Sequence, residues 1–317
     1  MGTCVLVIGG SDSSAGAGIQ ADVKTAHSMG IHAACAVTCV TAQNTLSFDA
    51  VQLVEPGLIE KQVASAAADL NIAAVKVGML GSPEAAVAVE RALADLLKKK
   101  PGLPVVIDPV LAASTQSEDG REVIARAICR HLLPLATVVT PNLPESRRLA
   151  QCCQQILSGA TTADNRVASA PEHASNNVLA AWSARSMLAA GAGSVLVKGG
   201  HGSDAAKARD LLFGNAADLA LSAPSELVES AKDDVPSVRF MVRPGDRDMH
   251  MSRPVSYSSP RIEGEFHGTG CVLSTAIACG LAQDKALPVA VGDAHAFLHE
   301  ALEHSGGLGR GSKIIEL

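Results

Sequence analysis

Aromatic residues are scarce in this chain: 317 residues include one Trp, one Tyr and five Phe. Hydrophobic residues nevertheless make up 47%, so the core has to be aliphatic, built from Ala, Val, Leu and Ile. There is no long basic run and the net charge is −6, which argues against nucleic acid as the main partner. No apolar stretch reaches the length of a membrane span. The opening "MGTCVLVIGG" has no positive leader and runs straight into a strand pattern, so no signal peptide is expected. It also fails the myristoylation pattern, because Leu6 stands where Ser or Thr is required. No CxxC pair occurs, which argues against a zinc ribbon. The eight cysteines fall instead in strand-like runs (Cys4, Cys35, Cys39), in helix-like runs (Cys129, Cys271, Cys279) or side by side (Cys152, Cys153). Except for Cys271, they read as small buried hydrophobes of a reducing, cytoplasmic compartment.

What is present is a rhythm. Short β-branched runs at 4–10, 33–40, 73–79, 104–110, 136–142, 194–200 and 209–213 read as strands. Helical patterns fill 17–29, 57–69, 83–99, 120–132, 143–158, 177–190, 270–282 and 288–304. Ser82-Pro83-Glu84 caps the third of these, and Lys98-Lys99-Lys100 suits its negative end. Strand–helix alternation with continuous apolar strands predicts an α/β fold, a central mostly parallel sheet with helices on both faces. Ligands of such sheets bind at the carboxyl ends of the strands. Residues 159–176 read as a polar surface excursion, and 214–264 as an insertion or flap with a hairpin near Pro244-Gly245-Asp246. No internal repeat or linker is visible, so one domain over 1–317 is expected.

Several turns at strand ends carry chemistry. "GGSDSSAGAGIQAD" (9–22) joins a strand to a helix without matching G-x-G-x-x-G or Walker A. It is either a tight turn or a loop whose backbone and Asp12 or Asp22 approach a small polar substrate. "TAQNT" (41–45) sets Gln43 and Asn44 in a row. A carboxamide donates and accepts together, which suits the edge of an aminopyrimidine or amide-like ring, although an ordinary polar turn reads the same way and on its own is the better reading. Asp108 of "DPV" and Glu145 of "NLPE" stand at neighbouring strand ends, where carboxylates can hold Mg²⁺ through water beside phosphate oxygens. Asn142 and Glu145 also spell a capping box. Lys198 of "KGGH" ends an apolar strand, a position that an anionic phosphate would explain. Finally, the turn Gly268-Thr269-Gly270 delivers Cys271 onto the first turn of an apolar helix, whose unpaired amides favour an anion. The same helix start is expected to lower the thiol pKa from about 8.5 and make a thiolate base available near neutral pH.

Taken in order, "GGSDSSAGAGIQADVKT", "TAQNT", "VGML", "DPV", "TPNLPE", "VKGGH", "DLLF" and "HGTGC" resemble the ribokinase-like superfamily, in particular the hydroxymethylpyrimidine/phosphomethylpyrimidine kinases of thiamine biosynthesis. The resemblance implies a ribokinase-like fold and ATP- and Mg²⁺-dependent phosphorylation of an aminopyrimidine alcohol and of its monophosphate. It implies that Gln43 reads the ring edge, that Met79 and Val110 form apolar walls, and that the first loop, near Gly10 and Ala17 and with Asp22, closes over the ring. It implies that Asn142, Lys198, Gly200 and His201 serve ATP, that Asp108 and Glu145 serve the metal, and that Gly268, Thr269 and Gly270 form the anion hole. Cys271 stands where the wider superfamily has the aspartate that deprotonates the attacking hydroxyl. Family members are often homodimers. Pyridoxal kinase of the same superfamily and a non-catalytic pyrimidine-binding regulator are the alternatives.

The chain departs from the family pattern in four places. Ala15 replaces a glycine of the first loop, and its methyl disfavours positive φ. "LAASTQSEDG" follows Val110 in place of a basic residue and glycine. His295 replaces a lysine of the last helix; with His299 it is spaced i, i+4, read as an exposed face. The segment before "HGTGC" is also longer than usual.

Overall fold

Val5–Ile8 are completely buried although they are consecutive in one strand, which requires cover on both faces of the sheet. In the computed structural model, which describes residues 2–111, 118–159, 174–200, 206–214 and 253–317, that cover is two helical layers. The elements run β1 (Cys4–Asp12), α1 (Gly18–Ser28), β2 (His32–Gln43), β3 (Phe48–Leu53), α2 (Pro56–Asp69), β4 (Ile72–Val77), α3 (Pro83–Lys99) and β5 (Val105–Ile107). They continue with α4 (Glu118–Ala127), β6 (Val138–Val139), α5 (Leu143–Ser158), α6 (Asn176–Ala189), β7 (Ser194–Val197), β8 (Lys207–Gly214) and β9 (Val255–Pro260). The chain closes with β10 (Phe266–His267), α7 (Thr269–Ala282), α8 (Leu287–His304) and β11 (Lys313–Ile314).

The pleat sorts β1 between the layers. Cys4, Leu6 and Ile8 pack with residues of α2 to α6, while Val5 and Val7 pack with α1, α7 and α8. Strands order as β3-β2-β1-β4-β5-β6-β7-β8-β9. Pairing is parallel from β2 to β7 and antiparallel where β3, β8 and β9 join the edges. The mostly parallel expectation holds, and the turns at the carboxyl ends of β1, β4, β5, β6 and β7 gather on one edge.

Local signals set the helix ends. The Ser82 hydroxyl accepts the Ala85 amide at 3.2 Å to start α3, with Pro83 in its first turn and Lys98 and Lys99 in its last. Asn142 and Glu145 form a reciprocal capping box on α5, which ends on left-handed Gly159. The helix expected over 120–132 is divided: α4 stops at Ala127, a π turn spans Ile128–Leu132, and a 3-10 turn holds Pro134. Proline has no amide to continue the ladder, and the winding loosens before it. The 159–176 and 214–264 stretches and His201 lie wholly or largely outside the described residues.

Candidate active site

The first loop is organised by one carboxylate. Asp12 is buried, and its oxygens accept the amides of Ser14 (2.7 Å), Gly16 (3.1 Å) and Ala17 (2.7 Å), and the Ser14 hydroxyl. His267 Nε2 reaches the same carboxylate at 3.0 Å from the far side. Burial alone would raise the Asp12 carboxyl, but the bonds from His267, Ser14 and Ala17 bring it down to about 2. Asp12 is therefore spent on holding the loop and is not offered to a substrate. The latch to His267 escapes sequence reasoning; its one signal was the histidine that opens "HGTGC".

Ala15 adopts a positive φ of 56° in spite of its methyl group, against expectation. Its amide donates to the Asp12 carbonyl at 3.0 Å, and Lys24 Nζ donates to its own carbonyl at 2.9 Å, so both neighbours hold it there. The loop then meshes with the turn before α7. Gly268 has φ 90°, and a β-carbon on it would collide with the Gly16 carbonyl. Gly268 is thus the left-handed cap that lets two backbones touch. Val272 donates to the Gly268 carbonyl at 3.0 Å as the first helical bond, so the amides preceding the ladder are those of Thr269, Gly270 and Cys271. The amide cluster is shifted by one residue from the 268–270 reading.

Gly270 lies against an ion pair. Lys198 Nζ is 2.8 Å from Asp108 Oδ1, and a β-carbon on Gly270 would sit 3.0 Å from Lys198 Nζ and from Asp108 Oδ2. The Thr140 hydroxyl approaches Asp108 at 3.3 Å. An isolated bridge joins Asn142 to Lys198, and the Asn142 amide donates to Glu145 at 2.9 Å. Burial would depress the Lys198 ammonium, but Asp108 and Glu145 outweigh it and raise it; Glu145 is raised mainly by its own burial. Two carboxylates and one ammonium therefore crowd together beneath the amides of α7.

Cys271 occupies the first turn of α7. Burial pushes its thiol up to about 11, against the opposing pull of the Lys76 ammonium and a hydrogen bond from the Gly18 amide. This corrects the expected depression: desolvation outweighs the helix start. Asp22 also differs from expectation. It is fully buried, bonded to Lys76 Nζ through both oxygens at 2.8 Å and to the Thr275 hydroxyl at 2.7 Å, so it lines no substrate pocket.

On the other side, Gly10 and Met79 adjoin. A β-carbon on Gly10 would lie 2.9 Å from Cys39 Sγ and 3.4 Å from Met79 Sδ. Gln43 is half-buried, and its backbone is tied to Ser13 by bonds of 2.6 and 2.8 Å. Among the described residues, its carboxamide bonds to no other group. Asn44, in contrast, spends its side chain on the amides of Leu46 and Ser47. Ala17 and Val110 are half-buried at the ends of the same loops.

A cleft of about 580 Å³ opens beyond Lys198, bounded by Gly200, Asp210, Thr269, Gly270, His295 and His299 among others. His295 is 13% exposed and faces Asp210 at 4.0 Å; burial lowers its pKa. It is a cleft residue, not part of an exposed face. Among the described residues, no group of three or more His, Cys, Asp or Glu side chains is placed to hold a metal ion. Among them, too, no helix is long and apolar enough to cross a membrane.

Comparison with known proteins identifies the family and the fold. The family model described as phosphomethylpyrimidine kinase matches residues 12–231 and 246–316. The hydroxymethylpyrimidine/phosphomethylpyrimidine kinase of Rhizobium meliloti (strain 1021) is 34% identical over 315 residues, covering 98% of this chain and 96% of that protein. The enzyme of the same description from Haemophilus influenzae is 31% identical over 307 residues, covering 97% and 93%. An ADP complex of Bacillus subtilis pyridoxal kinase superposes with a TM-score of 0.73 at 25% identity, covering 100% of this chain and 97% of that one. A phosphomethylpyrimidine kinase from Clostridium difficile 630 does so with 0.61 at 25% identity, covering 95% and 100%. With its ribokinase-like architecture and the ordered motifs around Cys271, the chain belongs to the phosphomethylpyrimidine kinase family.

Proposed function

We propose that the protein, as a single kinase domain over 1–317 acting in the cytoplasm, transfers the γ-phosphoryl group of ATP to the hydroxymethyl group of 4-amino-5-hydroxymethyl-2-methylpyrimidine. It then phosphorylates the monophosphate to the diphosphate, in thiamine biosynthesis. The observation that carries this reading is the convergence of the α7 amides, the Lys198–Asp108 pair and Cys271 at the head of one cleft. On the nucleotide side is the cleft past Gly200; on the other, Gly10 adjoins Met79, and the unengaged Gln43 carboxamide stands at the end of β2, its backbone tied to Ser13 of the first loop.

In this reading Gln43 pairs with the aminopyrimidine edge, and the first loop covers the ring through Gly10 and Ala17, with Val110 opposite. ATP lies in the cleft, its phosphates toward Lys198 and Asn142, with Gly200 and His201 on the nucleotide side. The amides of Thr269, Gly270 and Cys271 meet charge on the transferring group without reorganising. The substrate oxygen bonds to phosphorus as the bond to the β-phosphate oxygen breaks. The hydroxyl proton passes to the Cys271 thiolate, giving a thiol and ADP. Burial resists that ionisation, so the thiolate is scarce at neutral pH and turnover should climb with pH.

Mg²⁺ suits the acidic cluster. Asp108 and Glu145 stand together against the single ammonium of Lys198, which bonds to Asp108 Oδ1 and leaves Oδ2 toward Gly270. These residues would hold the ion through its waters. When bound, it would supply charge neutralisation across the β- and γ-phosphates.

A homodimer is the proposed assembly. Val51 and Leu53 on one face of the edge strand β3, with Leu46 in the turn before it at 64% exposure, leave apolar side chains uncovered. Leu53→Lys should shift sedimentation toward the monomer; an unchanged mass would place the contact elsewhere.

Steady-state ADP release with the aminopyrimidine alcohol, its monophosphate and pyridoxal tests the function. Turnover of the first two is expected. A strong preference for pyridoxal would favour the pyridoxal kinase alternative, and binding with no ADP release would favour the non-catalytic regulator.

A further inference from the structure

Lys76 is among the largest fully buried side chains of the described protein, 1% exposed between Val75 and Val77 of β4. Nothing in the proposed reaction so far uses it. The pleat turns Lys76 to the same face as Ala74, into the layer of α1 and α7. Gly78 leaves room for it: a β-carbon there would lie 2.8 Å from Lys76 Nζ. The ammonium bonds to both oxygens of Asp22 on α1, and Asp22 accepts the hydroxyl of Thr275, one helical turn beyond Cys271 on α7.

Stability is a poor reason for such an arrangement. Burying two charges costs several kcal/mol per ion, and well-packed apolar residues generally do as well or better. A buried pair is understood more readily if its field is used. The charged groups facing Cys271 are Lys76 from β4, Asp22 from α1, Asp108 after β5 and Lys198 at the end of β7; Lys76 is the strongest of them and the one favouring the thiolate most. Burial would depress the Lys76 ammonium, but Asp22 outweighs burial and holds it above the ordinary lysine range, so the charge persists.

We propose that Lys76 is a positioning residue for phosphoryl transfer: through Asp22 and Thr275 it fixes a positive charge against the first turns of α7 and ties that charge to the helix carrying the Cys271 sulfur. The inference rests on the reading of Cys271 as the proton acceptor. It deepens that reading, because it names what offsets the burial of the thiolate.

The test is the pH dependence of Cys271 alkylation by iodoacetamide, followed by mass spectrometry of the Cys271 peptide, together with the pH profile of kcat. The variant is Lys76→Met combined with Asp22→Asn, which leaves no unpaired buried charge. Alkylation at a fixed pH should slow, because Lys76 favours the thiolate more than Asp22 opposes it; each unit of midpoint rise reads as a roughly tenfold slower rate, and the kcat profile should move the same way, with KM for both substrates little changed. An unchanged alkylation profile, with only a lower melting temperature, would make the triad structural and overturn the proposal. If the double variant does not fold, Thr275→Val keeps both charges but unties them from α7. Slower alkylation is expected there, and an unaltered rate counts against the idea. Full turnover by Cys271→Ala would remove the base reading, while the alkylation profiles still decide whether Lys76 acts on the sulfur.

Discussion

Replacing Ala15 by glycine should make the protein more stable. Ala15 sits at φ 56°, in the left-handed region. A residue bearing a β-carbon pays about 1–2 kcal/mol there. The backbone bonds that hold it, from its amide to the Asp12 carbonyl and from Lys24 to its own carbonyl, do not depend on the methyl and survive the change. Glycine returns roughly 0.5–1 kcal/mol through the greater freedom of the unfolded chain. The net gain is about 0.5–1 kcal/mol, or roughly 1–1.5 °C in thermal midpoint for a chain of this length. Ala15→Val should move the other way and further, since branching at the β-carbon is worse accommodated at positive φ. Differential scanning calorimetry of the three proteins at one pH reads this directly. Equal midpoints for all three, or a glycine variant less stable than the native chain, would refute the argument that the loop is strained at Ala15.

Other consequences follow from the same loops. The Asp12 carboxyl, at about 2 against an ordinary 3.8, contributes stability that is fully present above pH 4 and lost as pH falls toward 2, about 2 kcal/mol in all. Urea midpoints should drop across that window, and Asp12→Asn should flatten the slope; a parallel slope in the variant would contradict the assignment. Gly270→Ala brings a β-carbon to 3.0 Å from both Asp108 and Lys198, and displacing that pair should cut kcat by about 100-fold with the fold intact by circular dichroism. Near-native turnover would mean that the amides of α7 are not held against the ion pair. His267→Ala removes the bond that joins the first loop to β10. KM for the pyrimidine should rise more than kcat falls, and a change confined to KM for ATP would argue against a latch over the ring.

The parts that were legible in the sequence share a physical character. The bounds of α3 and α5 follow from Ser82, Pro83, Asn142 and Glu145, whose bonds reach only three residues along the chain. Buried parallel strands such as β1 declare themselves as unbroken apolar runs. β3 does not: as an antiparallel edge it is exposed along almost its whole length, so nothing selects a core-facing pattern. The first loop and the turn before α7 were found as motifs, but the bond between them joins Asp12 to His267 across 255 positions, and no local signal marks such a contact. Asp22 was read as a substrate group because it follows the loop; its partner Lys76 is 54 positions away. A lysine flanked by valines in a buried strand was the one available hint. For Cys271, the helix start was visible in the sequence, whereas the burial that reverses its effect depends on α1 and β4 packing beside it. His295 likewise looked exposed until Asp210 of β8 was seen opposite.

The most direct test is rapid-quench measurement of phosphoryl transfer in preformed complexes with ATP and the aminopyrimidine alcohol, comparing the native protein with Cys271→Ala. The transfer rate should fall by about 10²–10⁴, while calorimetric affinity for the pyrimidine hardly changes. A variant that transfers as fast as the native enzyme would show that the sulfur takes no proton from the substrate.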